Sequence, residues 1–224
     1  MIEYQQLSAG DVAPWFAQRT FARPRFVVDS IAGRYVVLCL FDSADDPHSR
    51  AAIEAMATRR RFFDDATGCF FGVSRDPKDE TEKRVADRYP GYRYFWDFDG
   101  QIGRLYGALP QDAAGPGKSA AMRRRWVVLD PTLRVLRVIP FAPDRSDIAA
   151  VLDCIDRLPP PTKFAGFELQ APILVLPDVF EPEFCKELIG LYETHGGTES
   201  GFMREIDGKT VAVNDHNHKR RKDY

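Results

Sequence analysis

A hydroxyl, an imidazole and a carboxylate stand together in the segment Asp46-Pro47-His48-Ser49. A serine becomes a nucleophile only when a base takes its proton, and His48 is the nearest candidate base. Neighbouring residues at the start of a helix point in different directions, which disfavours a Ser-His hydrolase. The other chemistry open to this segment is binding. A hydroxyl at a helix N-terminus could hold a small anion, such as a carboxylate or a peroxide, without converting it.

The elements around this segment predict that it joins a buried strand to a helix. Val36 to Phe41 is an unbroken apolar run, typical of a strand buried on both faces. Ile53, Met56 and Ala57 then follow at the spacing of one helical face. The free N–H groups and the dipole of such a helix favour anions and lower the pKa of an acid placed there.

The segment Arg34 to Ser49 resembles the active-site segment of peroxiredoxins, the thioredoxin-fold peroxidases. In that family an apolar strand leads to a proline, then a Thr-Pro pair, one further residue and the peroxidatic cysteine. Here Asp42 stands for the first proline, Asp46 for the threonine, Pro47 matches the second proline, and Ser49 stands for the cysteine. The resemblance therefore implies a peroxidatic pocket without its reactive atom.

Other parts of the chain extend this resemblance over residues 8–156. Gly10-Asp11-Val12-Ala13-Pro14-Trp15-Phe16 is similar to the entry segment of the family. The family also carries an arginine that faces the peroxidatic cysteine, six residues before a strand-ending aspartate. Arg124 has that offset from Asp130, although Arg123 and Arg125 flank it and allow another register.

Apolar periodicity places the remaining elements of this region. It predicts strands over Phe26–Asp29, Gly68–Ser74 and Tyr92–Asp97, a hairpin over 126–139, and helices over Lys78–Arg88, 101–107 and Ile148–Ile155. The fold class is α/β: a thioredoxin-like, three-layer α/β/α sandwich with a mixed sheet, followed by a short C-terminal α/β segment of an incomplete jelly-roll domain.

The prolines of Leu158-Pro159-Pro160-Pro161-Thr162-Lys163 favour an extended connector and mark a boundary. We expect a redoxin domain over 1–157, a linker over 158–168 and a second region over 169–224. Ala171 to Pro177 and Phe184 to Ile189 resemble the opening of a prolyl-hydroxylase-type 2-oxoglutarate/Fe(II) dioxygenase domain. In the second region we expect an ordered strand Ile173–Leu176, an ordered helix Phe184–Tyr192 and a loose end after Gly208.

No cofactor is expected in this chain. The resemblance implies Fe(II) and 2-oxoglutarate only if a downstream dioxygenase domain supplies a His-x-Asp pair and a later histidine. His216 and His218, with Asp215 beside them, are too close in sequence to converge from different strands of a barrel. We interpret them as exposed residues of a polar tail.

Three functions stay open for the chain. The leading interpretation is a redoxin module without peroxidase activity that binds, regulates or dimerises within a dioxygenase fusion protein. The chain alone is then expected to be inactive both as a peroxidase and as a dioxygenase. The second is an active thiol peroxidase that uses a displaced cysteine, Cys39 or Cys69 rather than Cys154 or Cys185. The third is a structural homodimer scaffold. All four cysteines are otherwise expected to be reduced and partly buried.

Composition limits the partners. The formal net charge of −2 argues against nucleic acid or an anionic membrane as a general partner. No apolar run approaches the ~20 residues that span a bilayer, and the N-terminus lacks the pattern of a signal peptide. We therefore expect a cytoplasmic protein whose candidate partners are a second copy of itself and a small anionic or peroxide-like ligand at the Ser49 helix N-terminus.

Overall fold

A five-stranded mixed sheet forms the centre of the larger part of the molecule. The computed structural model describes residues 3–112, 122–164 and 179–223. The sheet has the order β5-β4-β3-β6-β7. Its strands are β3 (Tyr35–Asp42), β4 (Gly68–Ser74), β5 (Tyr92–Trp96), β6 (Arg125–Leu129) and β7 (Val135–Pro140). Strands β3, β4 and β5 are parallel, whereas β6 runs antiparallel to both β3 and β7. The predicted α/β fold with a mixed sheet and a late hairpin is confirmed.

The central strand β3 contributes to both layers of the core because its side chains alternate between the two faces of the sheet. Val36, Leu38 and Leu40 join one apolar cluster, and Val37, Cys39 and Phe41 join the other. The six residues are fully buried. The unbroken apolar run of this strand is therefore required by a sheet that is covered on both sides.

Helices cover both faces of the sheet. One side carries α1 (Pro47–Ala57) and α4 (Ser146–Asp156), which supply Met56, Val151 and Ile155 to the core. The other side carries α3 (Gln101–Leu105) and the N-terminal segment with the short strands β1 (Ala17–Gln18) and β2 (Phe26–Val27). A 3₁₀ helix, Val28–Ile31, follows β2 directly, so the strand predicted over Phe26–Asp29 is shorter than expected.

The helix predicted over Lys78–Arg88 is also much shorter than expected. Helix α2 spans only Pro77–Thr81. Lys83 has a φ of 53°, in the left-handed region that a helix of L-residues cannot continue through. The buried Asp79 carboxylate meanwhile accepts hydrogen bonds from the Ser74 hydroxyl (2.6 Å) and the Ala44 amide (2.8 Å), which fixes this turn to the ends of β3 and β4.

The chain divides into two compact units, Met1–Leu169 and Gln170–Tyr224. The second unit contains α5 (Pro182–His195), β8 (Thr198–Glu199), β9 (Phe202–Ile206), β10 (Lys209–Val213) and β11 (Lys222–Asp223). The helix predicted over Phe184–Tyr192 is confirmed, while the strand predicted over Ile173–Leu176 lies outside the described residues. Lys209–Val213, expected to be loose, forms an antiparallel hairpin with β9.

None of the helices in the described ranges combines the length and the apolar character of a membrane span.

Candidate functional site

The candidate site lies where β3 ends and α1 begins. Asp42 leaves the strand with a φ of 76°, and the chain turns before Asp46 caps the helix. The Asp46 carboxylate accepts hydrogen bonds from the amides of His48 (3.0 Å) and Ser49 (2.9 Å), and Pro47 occupies the first helical turn. An aspartate cap followed by a proline is a strong helix start because both residues suit the unpaired amides there.

The structure brings Asp46, Ser49 and Arg124 together. The Arg124 guanidinium forms an ion pair with Asp46 Oδ1, and its Nη1 also lies 3.5 Å from Ser49 Oγ. Arg124 directly precedes β6, whose pairing with the central strand β3 brings it to the end of β3 from far along the chain. The sequence left the register open among three consecutive arginines, and in the structure Arg124 contacts Ser49.

The Ser49 hydroxyl is buried and has two acceptors within reach. Its Oγ lies 3.0 Å from the Phe41 carbonyl oxygen and 3.1 Å from Asp46 Oδ1. An alkoxide at this position would face both oxygens, so the surroundings favour the protonated hydroxyl. Asp46 is also a weak base. Burial acts to raise its pKa, but the hydrogen bond from the Ser49 amide and the charge of Arg124 prevail and hold the pKa below its usual range.

Asp46 therefore occupies the position that a bound anion would take. Two helix amides and a guanidinium are the donors that commonly hold an external phosphate or carboxylate. Here the protein's own carboxylate accepts from both amides and pairs with the guanidinium. A small anion at the Ser49 helix N-terminus would have to displace this side chain.

His48 points into a separate buried network. Its Nε2 lies 2.9 Å from Asp147 Oδ1 of α4, and the other carboxylate oxygen accepts a hydrogen bond from the Trp126 indole N–H at 2.8 Å. The Phe141 ring packs against the His48 ring at 4.5 Å between centroids. The Arg124 guanidinium lies 5.3 Å from the centroid of the Phe141 ring. His48 is thus fixed by α4 and makes no hydrogen bond to Ser49, in agreement with the argument against a Ser-His hydrolase.

Sequence reasoning missed two of these roles. The cap formed by Asp46 has a readable signal, since an aspartate before a proline at a predicted helix start is a typical N-terminus. Asp147 has no such signal. It lies 99 positions from His48, and only the packing of α4 beside α1 brings the two side chains together.

None of the cysteines replaces Ser49 at the N-terminus of α1. Cys39 and Cys69 are fully buried in β3 and β4. Burial raises the pKa of Cys39 well above its ordinary value and that of Cys69 to about 12. Cys154 and Cys185 are partly exposed, and burial also raises the pKa of Cys154. The raised pKa values keep Cys39, Cys69 and Cys154 protonated at neutral pH, whereas peroxide reduction needs the thiolate.

No group of three His, Cys, Asp or Glu side chains suited to a metal ion occurs within the described ranges. His216 contacts Glu199 at 3.6 Å, while the His218 ring packs on Phe202 at 4.4 Å between centroids. His216 and His218, two positions apart in the sequence, thus have different neighbours in the structure.

The parallel β3-β4-β5 unit, the β6-β7 hairpin and the helices on both faces define a thioredoxin-like protein. Solved structures agree. Peroxidoxin BcpB from Mycobacterium tuberculosis is 18% identical with a TM-score of 0.57, over 69% of this chain and 99% of that one. The yeast mitochondrial 1-Cys peroxiredoxin is 16% identical with a TM-score of 0.53, over 92% and 98%. A cysteine-to-serine variant of PrxQ from Xylella fastidiosa is 14% identical with a TM-score of 0.54, over 68% and 97%.

The model of the AhpC/TSA family matches residues 9–137, more than half of the sequence. The chain therefore belongs to the AhpC/TSA family of peroxiredoxins. A comparison with curated proteins gave no match.

Proposed function

We propose that the Met1–Leu169 unit is a peroxiredoxin-family domain without peroxidase activity, with Ser49 in the position of the peroxidatic cysteine. The observation that carries the proposal is the contact set of Ser49. Its hydroxyl lies at the N-terminus of α1, 3.5 Å from Arg124, where a nucleophilic thiolate would be stabilised. The helix N-terminus and Arg124 support a pocket derived from a peroxidatic one, in which an oxygen stands in place of the sulfur.

The chemistry of that oxygen supports the proposal. A peroxidase nucleophile must be an available, polarisable anion near neutral pH, which a thiolate is and a serine hydroxyl is not. The Asp46 charge beside Ser49 opposes formation of a second negative charge. A pocket that turns over peroxide needs the reverse, an unpaired positive charge facing the nucleophile.

The alternative of a displaced cysteine has less support. Cys39 and Cys69 have no exposed surface on which to meet a peroxide, and their raised pKa values disfavour the thiolate. The redoxin unit is then a binding, regulatory or dimerising module, since a fold can persist after its usual activity is lost.

A peroxide-consumption assay on the full chain with a thiol reductant tests this proposal. We expect no consumption above the blank without protein. Consumption that disappears after thiol alkylation would show that a native cysteine is active and that the displaced-cysteine alternative is right.

For the second unit we propose the opening part of a 2-oxoglutarate/Fe(II) dioxygenase domain. The support is the sequence resemblance of Ala171–Pro177 and Phe184–Ile189, together with the exposed apolar side chains Phe184, Leu188 and Tyr192 on α5, which a larger domain would cover. The reading frame downstream of Tyr224 tests the proposal, which predicts a His-x-Asp pair and a later histidine. Stoichiometric Fe(II) binding by this chain that is lost in His216→Ala would contradict our assignment of the tail.

The remaining alternative, a homodimer scaffold, is tested by light scattering of the full chain over a range of concentrations. A dimer that persists at low micromolar concentration would support it, and a monomer throughout would exclude it.

A further inference from the structure

A cleft lies beside α1, and Ser49 does not line it. Two adjoining cavities of about 320 Å³ and about 380 Å³ lie between α1 and the segment 82–88. They share five lining residues, Ile53, Glu54, Arg84, Val85 and Arg88, and we call them together the α1 cleft. Small-molecule sites commonly occupy ~300–1,000 Å³, so the cleft has the size for a compact ligand.

One part of the cleft is apolar. Ile53 and Ala57 line it from α1, and the buried Val85, Tyr92 and Tyr94 line it from the opposite side. The Tyr92 hydroxyl already donates a hydrogen bond to the Met56 carbonyl oxygen at 3.0 Å. This wall therefore favours an aliphatic or aromatic group.

The rim of the cleft is cationic. Arg60, Lys83 and Arg88 line it, and in the described part of the chain none of the three has a carboxylate within ion-pair distance. Arg60 donates a hydrogen bond to the Tyr89 carbonyl oxygen at 3.4 Å. The other two arginines are neutralised: Arg84 pairs with Glu82 and Asp76, and Arg50 pairs with Asp45.

Two acidic residues, Glu54 and Asp45, line the cleft, and Asp45 pairs with Arg50. Glu54 remains to oppose the three charges, and it lines the cleft from α1 together with Ile53 and Ala57. The cleft thus combines an excess of positive charge with an apolar wall in one concave surface. A run of basic residues on a flat surface is usually just a solvated face of the protein. An apolar wall beside the basic residues is instead typical of a ligand site.

We propose that the α1 cleft binds a small organic anion that has an aliphatic or aromatic body and a single carboxylate or phosphate group. The body contacts Val85, Tyr92 and Tyr94, and the anionic group lies among Arg60, Lys83 and Arg88. Polymeric anions fit less well, because the formal net charge of the chain is −2. Ser49 is not part of this site. An experiment can therefore reject the proposed ligand site without rejecting the proposed lack of peroxidase activity, and the reverse.

Binding of three naphthalene probes to the full chain tests the proposal by amide chemical shifts and calorimetry. The probes are 2-naphthoate, 2-naphthyl phosphate and the uncharged 2-naphthalenemethanol. We expect saturable shifts at Ala57 and Val85 with at least one anionic probe, and about tenfold weaker binding of the alcohol. The two anionic probes distinguish a carboxylate site from a phosphate site.

Three variants locate the binding. Arg60→Gln/Arg88→Gln should weaken the anionic probe about tenfold, which corresponds to roughly 1.4 kcal/mol. Ala57→Phe should fill the cleft and abolish binding with the melting temperature retained. Arg25→Gln, which removes an exposed arginine that lines neither cavity, should change nothing. Equal binding of the alcohol and the anions, unchanged affinity in the double arginine variant, or no saturable binding below about 10 mM would each overturn the proposal.

Discussion

The charge of Asp46 should control the acidity of a thiol placed at position 49. In the variant Ser49→Cys, the new thiol would lie at the N-terminus of α1, close to both Arg124 and Asp46. The present hydroxyl oxygen is 3.1 Å from Asp46 Oδ1 and 3.5 Å from Arg124 Nη1. Arg124 is already paired with Asp46, so the carboxylate opposes the thiolate and also takes up the charge that would stabilise it.

The size of the effect follows from the distance. Two unit charges at ~4 Å interact with about 1 kcal/mol in water and about 4 kcal/mol at the effective dielectric near a protein surface. One pKa unit corresponds to ~1.4 kcal/mol, so removal of the Asp46 charge should lower the thiol pKa by roughly 1–3 units. Asp46→Thr is the suitable change because threonine can still cap the helix.

The assay is a titration of thiolate absorbance near 240 nm, which does not require a reagent to reach a buried atom. Ser49→Cys and Ser49→Cys/Asp46→Thr are each measured against the matching serine parent, so that the four native cysteines cancel. Arg124→Gln on the double variant should raise the pKa again. Equal pKa values in the two thiol variants, or a higher value in the one without Asp46, would refute the assignment of Asp46 as the internal anion.

Three further predictions concern stability, measured by urea unfolding. Asp46→Ala should lower the free energy of unfolding by about 1–2 kcal/mol because two helix amides lose their acceptor, whereas Asp46→Thr should lower it by less than about 0.5 kcal/mol. Equal losses in the two variants would contradict the assignment of Asp46 as the N-cap of α1. Asp147→Ala should cost about 2–4 kcal/mol because the Trp126 indole and the Ala142 amide lose their acceptor, and Asp147→Asn, which keeps one acceptor, should cost less. Burial raises the pKa of Asp97 to about 7, so the folded chain keeps a proton that the unfolded chain releases near pH 4. The stability of the parent relative to Asp97→Asn should therefore fall as the pH rises from about 4 to 7, by at most about 4 kcal/mol, and a pH-independent difference would contradict this.

The architecture of the first unit was predictable because its strands are covered on both faces. An apolar run such as Val36–Phe41 is typical of a strand with two buried faces, and the stripe over Ile148–Ile155 marks a helix that packs on a sheet. The same patterns placed the hairpin, now seen as β6 and β7. Local periodicity succeeds here because burial of one face or both faces determines each element.

Where packing between distant residues decides the outcome, the sequence alone was insufficient. The helix expected over Lys78–Arg88 ends early because the Asp79 side chain is anchored to Ser74 and Ala44 and because Lys83 adopts a left-handed conformation. The helix propensity of this polar segment is outweighed by one buried carboxylate. The strand Lys209–Val213 was missed for a different reason, since it pairs with β9 through an exposed hairpin that carries little apolar alternation.

The residues of the candidate site could be predicted from the sequence, but the interactions between them could not. Pro47, Ser49 and Arg124 follow from the family pattern, and the structure brings Ser49 and Arg124 within 3.5 Å. The substitution of threonine by Asp46 was visible in the sequence, but its consequence required the geometry. Only the hydrogen bonds to the His48 and Ser49 amides and the ion pair with Arg124 show that the carboxylate takes the place of an anion.

Peroxide reduction in a single turnover tests the central claim most directly. The claim is that the pocket has the helix N-terminus and the arginine of a peroxidatic site but lacks the cysteine nucleophile. The native chain, Ser49→Cys and Ser49→Cys/Asp46→Thr are each mixed with hydrogen peroxide, and loss of peroxide is followed together with sulfenic acid formed per chain. We expect no reaction above the blank for the native chain and a slow reaction for Ser49→Cys. The double variant should react about tenfold faster or more, because the thiolate fraction rises about tenfold for each unit by which the thiol pKa falls toward the working pH. Peroxide loss by the native chain that alkylation of its cysteines abolishes, or a double variant no faster than Ser49→Cys, would contradict it.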